Sequence, residues 1–464
     1  MSTPEASSLK IEFERGTLVV LDRLKGKRFE AFSWLKWDRR GKHYRCHAYR
    51  YRDLILHLFK GKFDYTDSTP KYNRLEISLH ADFRPFDYQQ EALDVWSRSK
   101  RGIAVLPTGT GKSFLAAMAV QAIQRSTLIL APTIDLILQW QKILEEWFRC
   151  PIGLLGGGSS EIEDITVSTY DSARNYADSL GNRFGLMIFD ECHHLPSPAY
   201  SDMARAYIAP YRLGLSATIN CEEERIRILS ELIGRVVYQR EIQHLSGSFL
   251  SPYTVETIEV ELTEEERRLY EFHRSIYRDF RDRVPVRFGS ANSWERFVFA
   301  CYRTAEGREA LRSFGIQKQI AIAARNKIDA LVRILIEHQK ERVLIFTNDN
   351  KTAYLISSLL LLPLITHETK AKERKTILGN FRNGVWPFIV NSRILNEGVD
   401  VPEANIAVVV SGTSTVREHV QRLGRILRKK EGKRAILYEL VTVDTGEVFT
   451  SRRRREHGAY GSTR

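Results

Sequence analysis

Cysteine is scarce in this 464-residue chain: Cys46, Cys150, Cys192, Cys221 and Cys301 are scattered, odd in number and never spaced as CxxC. That pattern argues against a disulfide framework or a cysteine-rich zinc site and fits a reducing compartment. Long apolar runs are missing as well. The longest, around Leu359 to Ile365, is short and broken by Pro363, whereas a bilayer-spanning helix needs about 20 apolar residues. The polar start of the chain lacks the features of a secretory signal. No short internal repeat occurs, and no low-complexity segment apart from a basic end. Acidic charge is in deficit, with 70 Lys and Arg against 57 Asp and Glu, a net +13. Such an excess points to a polyanionic partner, although many basic proteins bind nothing in particular. Hydrophobic residues at 43% and charged residues at 27% suit a globular protein and disfavour disorder. The length suggests about three domains.

Residues 1–80 hold 17 Lys and Arg against 10 Asp and Glu. Strand-like runs at 17–21 and 75–79 flank an aromatic and basic stretch, so this region reads as a small separate domain. Within it Lys25, Lys27, Arg28, Lys36, Arg39, Arg40, Lys42 and Arg45 interleave with Phe29, Phe32, Trp34, Trp37, Tyr44 and Tyr49. Basic residues can track a backbone and rings can stack on bases. A small domain also needs rings for its core, so one or two, such as Trp34 or Trp37, are expected at the surface.

From Gly102 short apolar runs alternate with amphipathic helical stretches. The runs are 103–106, 127–131, 165–168, 186–189 and 212–215, and the alternation returns at 343–346, 364–366, 388–390, 406–410 and 435–441. Buried parallel strands alternating with helices make α/β domains, here two. Between them, 264–314 is charged and aromatic, with Tyr270, His273, Tyr277 and Phe280 at helical spacing. Two readings stay open: a connecting helical pair packed on the second block, which periodicity favours, or an inserted element that touches substrate.

Leu106-Pro107-Thr108-Gly109-Thr110-Gly111-Lys112-Ser113 follows a predicted strand and opens a predicted helix, the context of a phosphate-binding loop. The glycines let several N–H groups face one point, and the helix start adds partial positive charge. Lys112 is expected on the β- and γ-phosphates of ATP and the Ser113 hydroxyl on Mg²⁺. Gly156-Gly157-Gly158 has no lysine after it and reads as a surface loop. Leu186-Met187-Ile188-Phe189-Asp190-Glu191-Cys192-His193 ends an apolar strand with two carboxylates. Ligands of open α/β sheets bind at such strand ends. Asp190 is expected to hold Mg²⁺ and Glu191 to orient or deprotonate the attacking water. Cys192, His193 and His194 lack a second ligand pair nearby, which speaks against zinc.

The phosphate loop with Asp190-Glu191-Cys192-His193 resembles the DExH group of superfamily 2 helicases. Further matches occur in that group's order: Tyr88-Gln89, Ala131-Pro132-Thr133, Ser168-Thr169-Tyr170, Ser216-Ala217-Thr218, Asn396-Glu397-Gly398-Val399-Asp400-Val401-Pro402 and Gln421-Arg422-Leu423-Gly424-Arg425-Ile426-Leu427-Arg428. Gly181-Asn182-Arg183-Phe184, His193-His194-Leu195-Pro196 and Thr445-Gly446-Glu447-Val448 followed by Arg452 to Arg455 narrow the resemblance to the XPB helicases, in their short archaeal and bacterial forms.

The resemblance implies two RecA-like P-loop domains of parallel sheets with helices on both faces, a small N-terminal α+β domain and a helical thumb. The expected boundaries are a damage-recognition-like DNA-binding domain at 1–80 and an ATP-binding domain at 81–245. After these come a linker and thumb at 246–315, a C-terminal helicase domain at 316–450 and a basic tail at 451–464. It further implies an ATP-dependent DNA helicase or translocase of 3′–5′ polarity, acting in repair. Gln89 would read adenine, and Pro107, Thr108, Gly109, Thr110, Gly111, Lys112 and Ser113 would cradle phosphates. Gly398 and Asp400 would contact nucleotide. Lys112, Asp190, Glu191, Gln421, Arg425 and Arg428 would be catalytic, the last two as arginine fingers from the second half, and Ser113 and Asp190 would hold the metal. Expected partners are single-stranded, forked or distorted DNA and a partner nuclease, for a monomeric motor in the cytoplasm at the nucleoid. One departure stands out: Cys221-Glu222-Glu223 replaces the family's Arg-Glu-Asp triplet, which is linked to duplex melting. An ATP-driven duplex translocase, or a switch that loads a nuclease without strand separation, is therefore the alternative. The Arg452–Arg455 run reads equally as a phosphate contact or a solubilising tail.

Overall fold

The computed structural model describes residues 9–22, 32–81, 84–219, 222–240, 253–286, 293–392, 404–411 and 435–455. The described residues fall into two compact units, the first running through Arg240 and the second comprising the rest.

The first unit begins with a five-stranded sheet of β1 (Leu9–Glu14), β2 (Thr17–Asp22), β3 (Lys36–Asp38), β4 (His43–His47) and β5 (Tyr65–Asp67), in the order β3-β4-β2-β1-β5. It is antiparallel except for the β1–β5 pair. Leu9 and Ile11 alternate inward along β1 and meet Leu54 and Leu58 of the helix Tyr51–Lys60. Trp37 is 44% exposed, while Trp34 is half-buried with the Arg50 guanidinium 5.6 Å above its ring. Residues 75–79 do not form the expected strand. The N–H groups of Leu75 and Ile77 instead donate to the backbone and side-chain oxygens of Gln124, each at 3.1 Å, so one glutamine takes the place of a ladder. The small domain is seated on residues 177–232 of the same unit: Ile208 joins its core, Tyr49 bonds Glu231, and Asn182 Nδ2 donates to Thr69 O at 2.8 Å.

Next comes an eight-stranded sheet of β6 (Arg101–Val105), β7 (Thr127–Ala131), β8 (Gly153–Gly156), β9 (Ser159–Ser160), β10 (Ile165–Thr169), β11 (Leu186–Phe189), β12 (Tyr211–Ser216) and β13 (Val236–Gln239). Its order is β13-β6-β12-β11-β7-β10-β8-β9, parallel throughout except for the β8–β9 hairpin. Gly156, Gly157 and Gly158 make that hairpin's turn, where three successive positive φ values leave little choice but glycine. All five apolar runs anticipated between 103 and 215 are strands of this sheet. Arg212 of β12 is fully buried. Its guanidinium donates to the carbonyls of Ala204, Tyr207, Ala209 and Leu232 at 2.7–3.1 Å, tying the ends of two helices to the sheet.

The second unit holds a fully parallel sheet of β14 (Tyr253–Val260), β15 (Val343–Thr347), β16 (Leu364–Ile365), β17 (Phe388–Ser392), β18 (Ile406–Val409) and β19 (Ala435–Thr442), in the order β14-β19-β18-β15-β17-β16. The expected linker-and-thumb span of 246–315 is corrected here. β14 pairs along its whole length with β19 and belongs to the sheet, and the helical insertion runs from Glu264 to Ile322. Its described residues form three helices rather than a pair: Glu264–Arg283, Ser293–Tyr302 and Ala305–Ile322. Its rings pack chiefly on one another, with Tyr277 against Phe314 at 4.9 Å and Trp294 against Phe314 at 5.0 Å. Tyr270 instead reaches the second sheet's neighbourhood, its hydroxyl accepting from Gly446 N–H at 3.2 Å. The expected tail starting at 451 is corrected too. The helix Gly446–Arg455 spans that boundary, and Ser451 is buried with its Oγ donating to Glu439 at 3.0 Å.

Glu447 of that helix receives the fully buried Lys327 Nζ at 2.5 Å. Removing one partner of a buried pair strands the other charge. Lys327→Met is therefore expected to destabilise the second unit by about 3–5 kcal/mol in urea unfolding, and the added Glu447→Leu change to recover much of that loss.

Candidate active site

The phosphate loop leaves β6 and enters the helix Lys112–Ile123. Gly109 and Gly111 have φ of +86° and +74°, left-handed values that permit the loop to curl. Behind the loop, Tyr88 Oη and Gln89 Nε2 donate to Thr110 O at 2.6 and 3.0 Å, and Thr110 Oγ1 donates to Pro107 O at 2.8 Å. Gln89 Oε1 accepts from Phe86 N–H at 3.0 Å, and the residue is 2% exposed. Expected to read adenine, its amide here braces the loop's backbone. The helices starting at Ile134, Tyr170 and Pro198 carry a Thr or Ser side-chain cap, whereas the helix after the loop carries none. Its start is thus left for an anion.

Lys112 Nζ is buried, makes no hydrogen bond among the described residues, and lies 3.6 Å from Glu191 Oε1. This contact brings the loop and the acidic end of β11 together, as the sequence anticipates. Asp190 is 8% exposed, its Oδ2 accepting from Trp140 Nε1–H and its Oδ1 from Glu191 N–H, both at 3.0 Å. Burial first, and then the adjoining Glu191 charge, push the Asp190 carboxyl above its ordinary value; Lys112 and the Trp140 bond oppose them. Glu191 sits at φ +47°, a left-handed conformation costly for any residue but glycine. Its second oxygen is 3.4 Å from His193 Nδ1, which in turn lies 3.2 Å from Ser216 Oγ. Ser216 Oγ donates to Thr218 O at 2.7 Å. A continuous polar chain thus runs from Lys112 to the Ser216-Ala217-Thr218 segment.

The residues present fit ATP and Mg²⁺. Two carboxylates face one ammonium, which leaves room for a further cation, while the ammonium and the uncapped helix await an anion. The buried Thr108 Oγ1 also lacks a hydrogen-bond partner among the described residues. No cluster of three His, Cys, Asp or Glu suited to a metal occurs among the described residues, and Mg²⁺ asks for only one or two protein oxygens beside phosphates and water. Ser113, in the helix's first turn, and Asp190 would supply them. Gly398, Asp400, Gln421, Arg425, Arg428 and Cys221 lie outside the described residues. Sequence reasoning missed Trp140, and it named Tyr170, His193 and Ser216 within motifs without their contacts to the acidic pair. Tyr170 Oη donates to Asp190 O at 2.9 Å. Trp140 shares a helix face with Ile137 and Leu144, so periodicity marks it as core and is silent about its N–H.

Comparison with known proteins decides the family. The damage recognition domain of the Xeroderma pigmentosum group B helicase matches residues 11–69, and the ERCC3/RAD25/XPB C-terminal helicase matches residues 311–458. The Type III restriction enzyme res subunit matches residues 82–221. The DNA 3′-5′ translocase XPB2 of Sulfurisphaera tokodaii is 40% identical over 91% of this chain and 96% of its own. The chain belongs to the XPB family. The DNA 3′-5′ helicase XPB of Mycobacterium tuberculosis is 31% identical, over 80% of this chain and 63% of its own. The Hef helicase domain of Pyrococcus furiosus superposes with a TM-score of 0.51 at 20% identity, covering 79% of this chain and 97% of that one. XPB membership and that fold likeness agree with two RecA-like α/β domains. Among the described residues no helix is long and apolar enough to cross a membrane.

Two outcomes are expected for this XPB-family site. A Cβ at Gly111 would meet Gln89 Nε2 at 2.5 Å on a left-handed backbone, so Gly111→Ala is expected to weaken nucleotide binding measured by fluorescence titration at least about tenfold. The Trp140 bond favours the charged form of Asp190, so removing it raises the carboxyl further. Carboxyl NMR of the protein in chelator is expected to place the Asp190 midpoint above the ordinary 3.8, and Trp140→Phe to move it higher still.

Proposed function

We propose that the chain is an ATP-dependent motor on DNA, moving 3′ to 5′, in which hydrolysis drives translocation or unwinding in the service of repair. One observation carries this reading: a buried lysine ammonium at an uncapped helix start, held among the described residues only by the glutamate of the acidic strand end. Lys112 would meet the β- and γ-phosphates as a point charge, beside loop N–H groups from Thr108 to Ser113. Mg²⁺, held by Ser113 and Asp190, would supply neutralisation of phosphoryl charge. Glu191 would orient or deprotonate water, and His193 keeps that carboxylate in place from its far side. Gln89 would report on the loop through its bonds to Thr110 and Gly111, at 3.0 and 3.3 Å. Gln421, Arg425, Arg428, Gly398 and Asp400 are assigned by their match to the family's motifs. A positioned arginine is worth about 10³–10⁵ in rate, or roughly 4–7 kcal/mol, enough for nucleic acid to gate turnover.

The substrate DNA would be single-stranded, forked or distorted duplex, bound through phosphates and through rings such as the exposed Trp37. A second reading drops strand separation: a duplex translocase, or a switch that loads a partner nuclease. The Cys221-Glu222-Glu223 segment favours it. Glu222 stands at the N-cap position without a side-chain cap bond and Glu223 opens the helix Glu223–Leu232, so these acids sit where a helix start favours negative charge. The name of the Sulfurisphaera relative, a translocase, points the same way.

ATP turnover measured with single-stranded, forked and duplex DNA is expected to rise on DNA addition. Lys112→Ala is expected to lower it by about 10²–10³, as for other preorganised charge donors. Turnover indifferent to DNA would defeat the motor reading, and ATPase without displaced strand would select the translocase.

A further inference from the structure

The second unit carries a cavity of about 530 Å³ bordered by the helices Glu264–Arg283 and Ala305–Ile322, the end of β19 and the helix Gly446–Arg455. The phosphate loop, Asp190 and Glu191 all belong to the other unit. Tyr270, Tyr277 and Phe314 give the cavity aromatic walls. Its charge is strongly positive. Arg274, Arg278, Arg281 and Lys318 line it against one carboxylate, Glu447, which is already bound by Lys327. Arg281 is paired with Asp282 at 2.6 Å, and Arg274 donates to Tyr270 Oη and Asp444 O at 3.3 and 3.0 Å. Arg278 and Lys318 are exposed and form no ion pair among the described residues. The decisive group is Gln317. It lines the cavity at 7% exposure, and its amide has no hydrogen-bond partner among the described residues. The amide atoms face water in the cavity, so both their donor and acceptor capacity are open to an occupant.

Three demands are therefore made of an occupant. It needs a flat face to lie against rings, an edge that both donates and accepts to meet an amide, and an anionic group for Arg278 and Lys318. A nucleobase with its phosphate meets all three, and the volume falls within the roughly 300–1,000 Å³ of small-molecule sites. We propose that this cavity binds a nucleoside phosphate, either a free nucleotide or one unpaired nucleotide of a DNA strand. An acidic aromatic peptide would bring a ring and a carboxylate but no side-chain edge matched to the Gln317 amide. The site stands independently of the motor reading, since none of its residues belongs to the ATP site.

The test uses the full chain with Lys112→Ala, so that the phosphate loop contributes little, and without Mg²⁺. Binding of dAMP and dTMP is measured by calorimetry, and binding of a single-stranded oligonucleotide carrying 2-aminopurine by its fluorescence. Gln317→Met keeps the side chain's volume and removes the amide; Arg278→Ala removes an exposed charge. Thermal melting establishes that each variant is folded. In each variant affinity is expected to fall at least about tenfold. A fall for the mononucleotides identifies a free nucleotide as ligand. A fall confined to the oligonucleotide, with loss of the 2-aminopurine quench, identifies a strand nucleotide. Unchanged affinity for both probes in both folded variants overturns the proposal. So does selective binding of an acidic aromatic peptide that Gln317→Met leaves intact.

Discussion

A lysine ammonium and a glutamate carboxylate, 3.6 Å apart and both nearly out of water, set the character of the candidate active site. In such surroundings a charge without a counterion is costly, so each holds the other in place. The pairing is incomplete. Asp190 adds a second carboxylate, leaving the cluster one cation short, while Lys112 keeps donor capacity that no described residue fills. The site is therefore matched to a ligand that is itself an anion accompanied by a metal cation. Raising the Asp190 carboxyl by burial and by its neighbour is the electrostatic cost of assembling acids before that ligand arrives.

The scaffold makes this contact by bringing two strand ends to one edge. β6 delivers the loop and β11 the acids, with β12 between them supplying Ser216 to the His193–Glu191 chain. That wiring links the lysine of the loop to the Ser216-Ala217-Thr218 segment through side chains alone. Below the sheet, Arg212 fixes two helix ends through four carbonyls, an arrangement lysine could not reproduce. The small N-terminal domain adds bonds from Tyr49 and Thr69 onto the same unit, so it shares that unit's frame.

Much of this is legible in the residues alone. Buried parallel strands are nearly continuous apolar runs, and every such run anticipated in both blocks is a strand. The phosphate loop and the acidic pair are legible because their chemistry fixes residue type at close spacing. The rest depends on long-range partners. β14 reads as unremarkable alternating sequence until β19 arrives, some 180 positions later, to pair with it. Residues 75–79 look like a strand but find Gln124 rather than a ladder. Trp140 and His193 look like core and like a rejected metal ligand, because nothing local shows that one N–H meets Asp190 and one ring nitrogen meets Glu191. Gln317 sits in an ordinary helical stretch, and only the cavity gives its bare amide meaning.

The central claim is that Glu191 holds Lys112 before ATP binds and serves the chemistry afterwards, so its charge should matter to turnover and not to affinity. Comparing the wild type with Glu191→Gln, in single-turnover hydrolysis on DNA and in equilibrium binding of a fluorescent ATP analogue, separates the two. The expected result is hydrolysis slower by about 10²–10⁴ with affinity equal to or tighter than wild type, because Lys112 loses its competitor for phosphate. Hydrolysis at the wild-type rate, or an affinity that falls in step with the rate, would contradict the account.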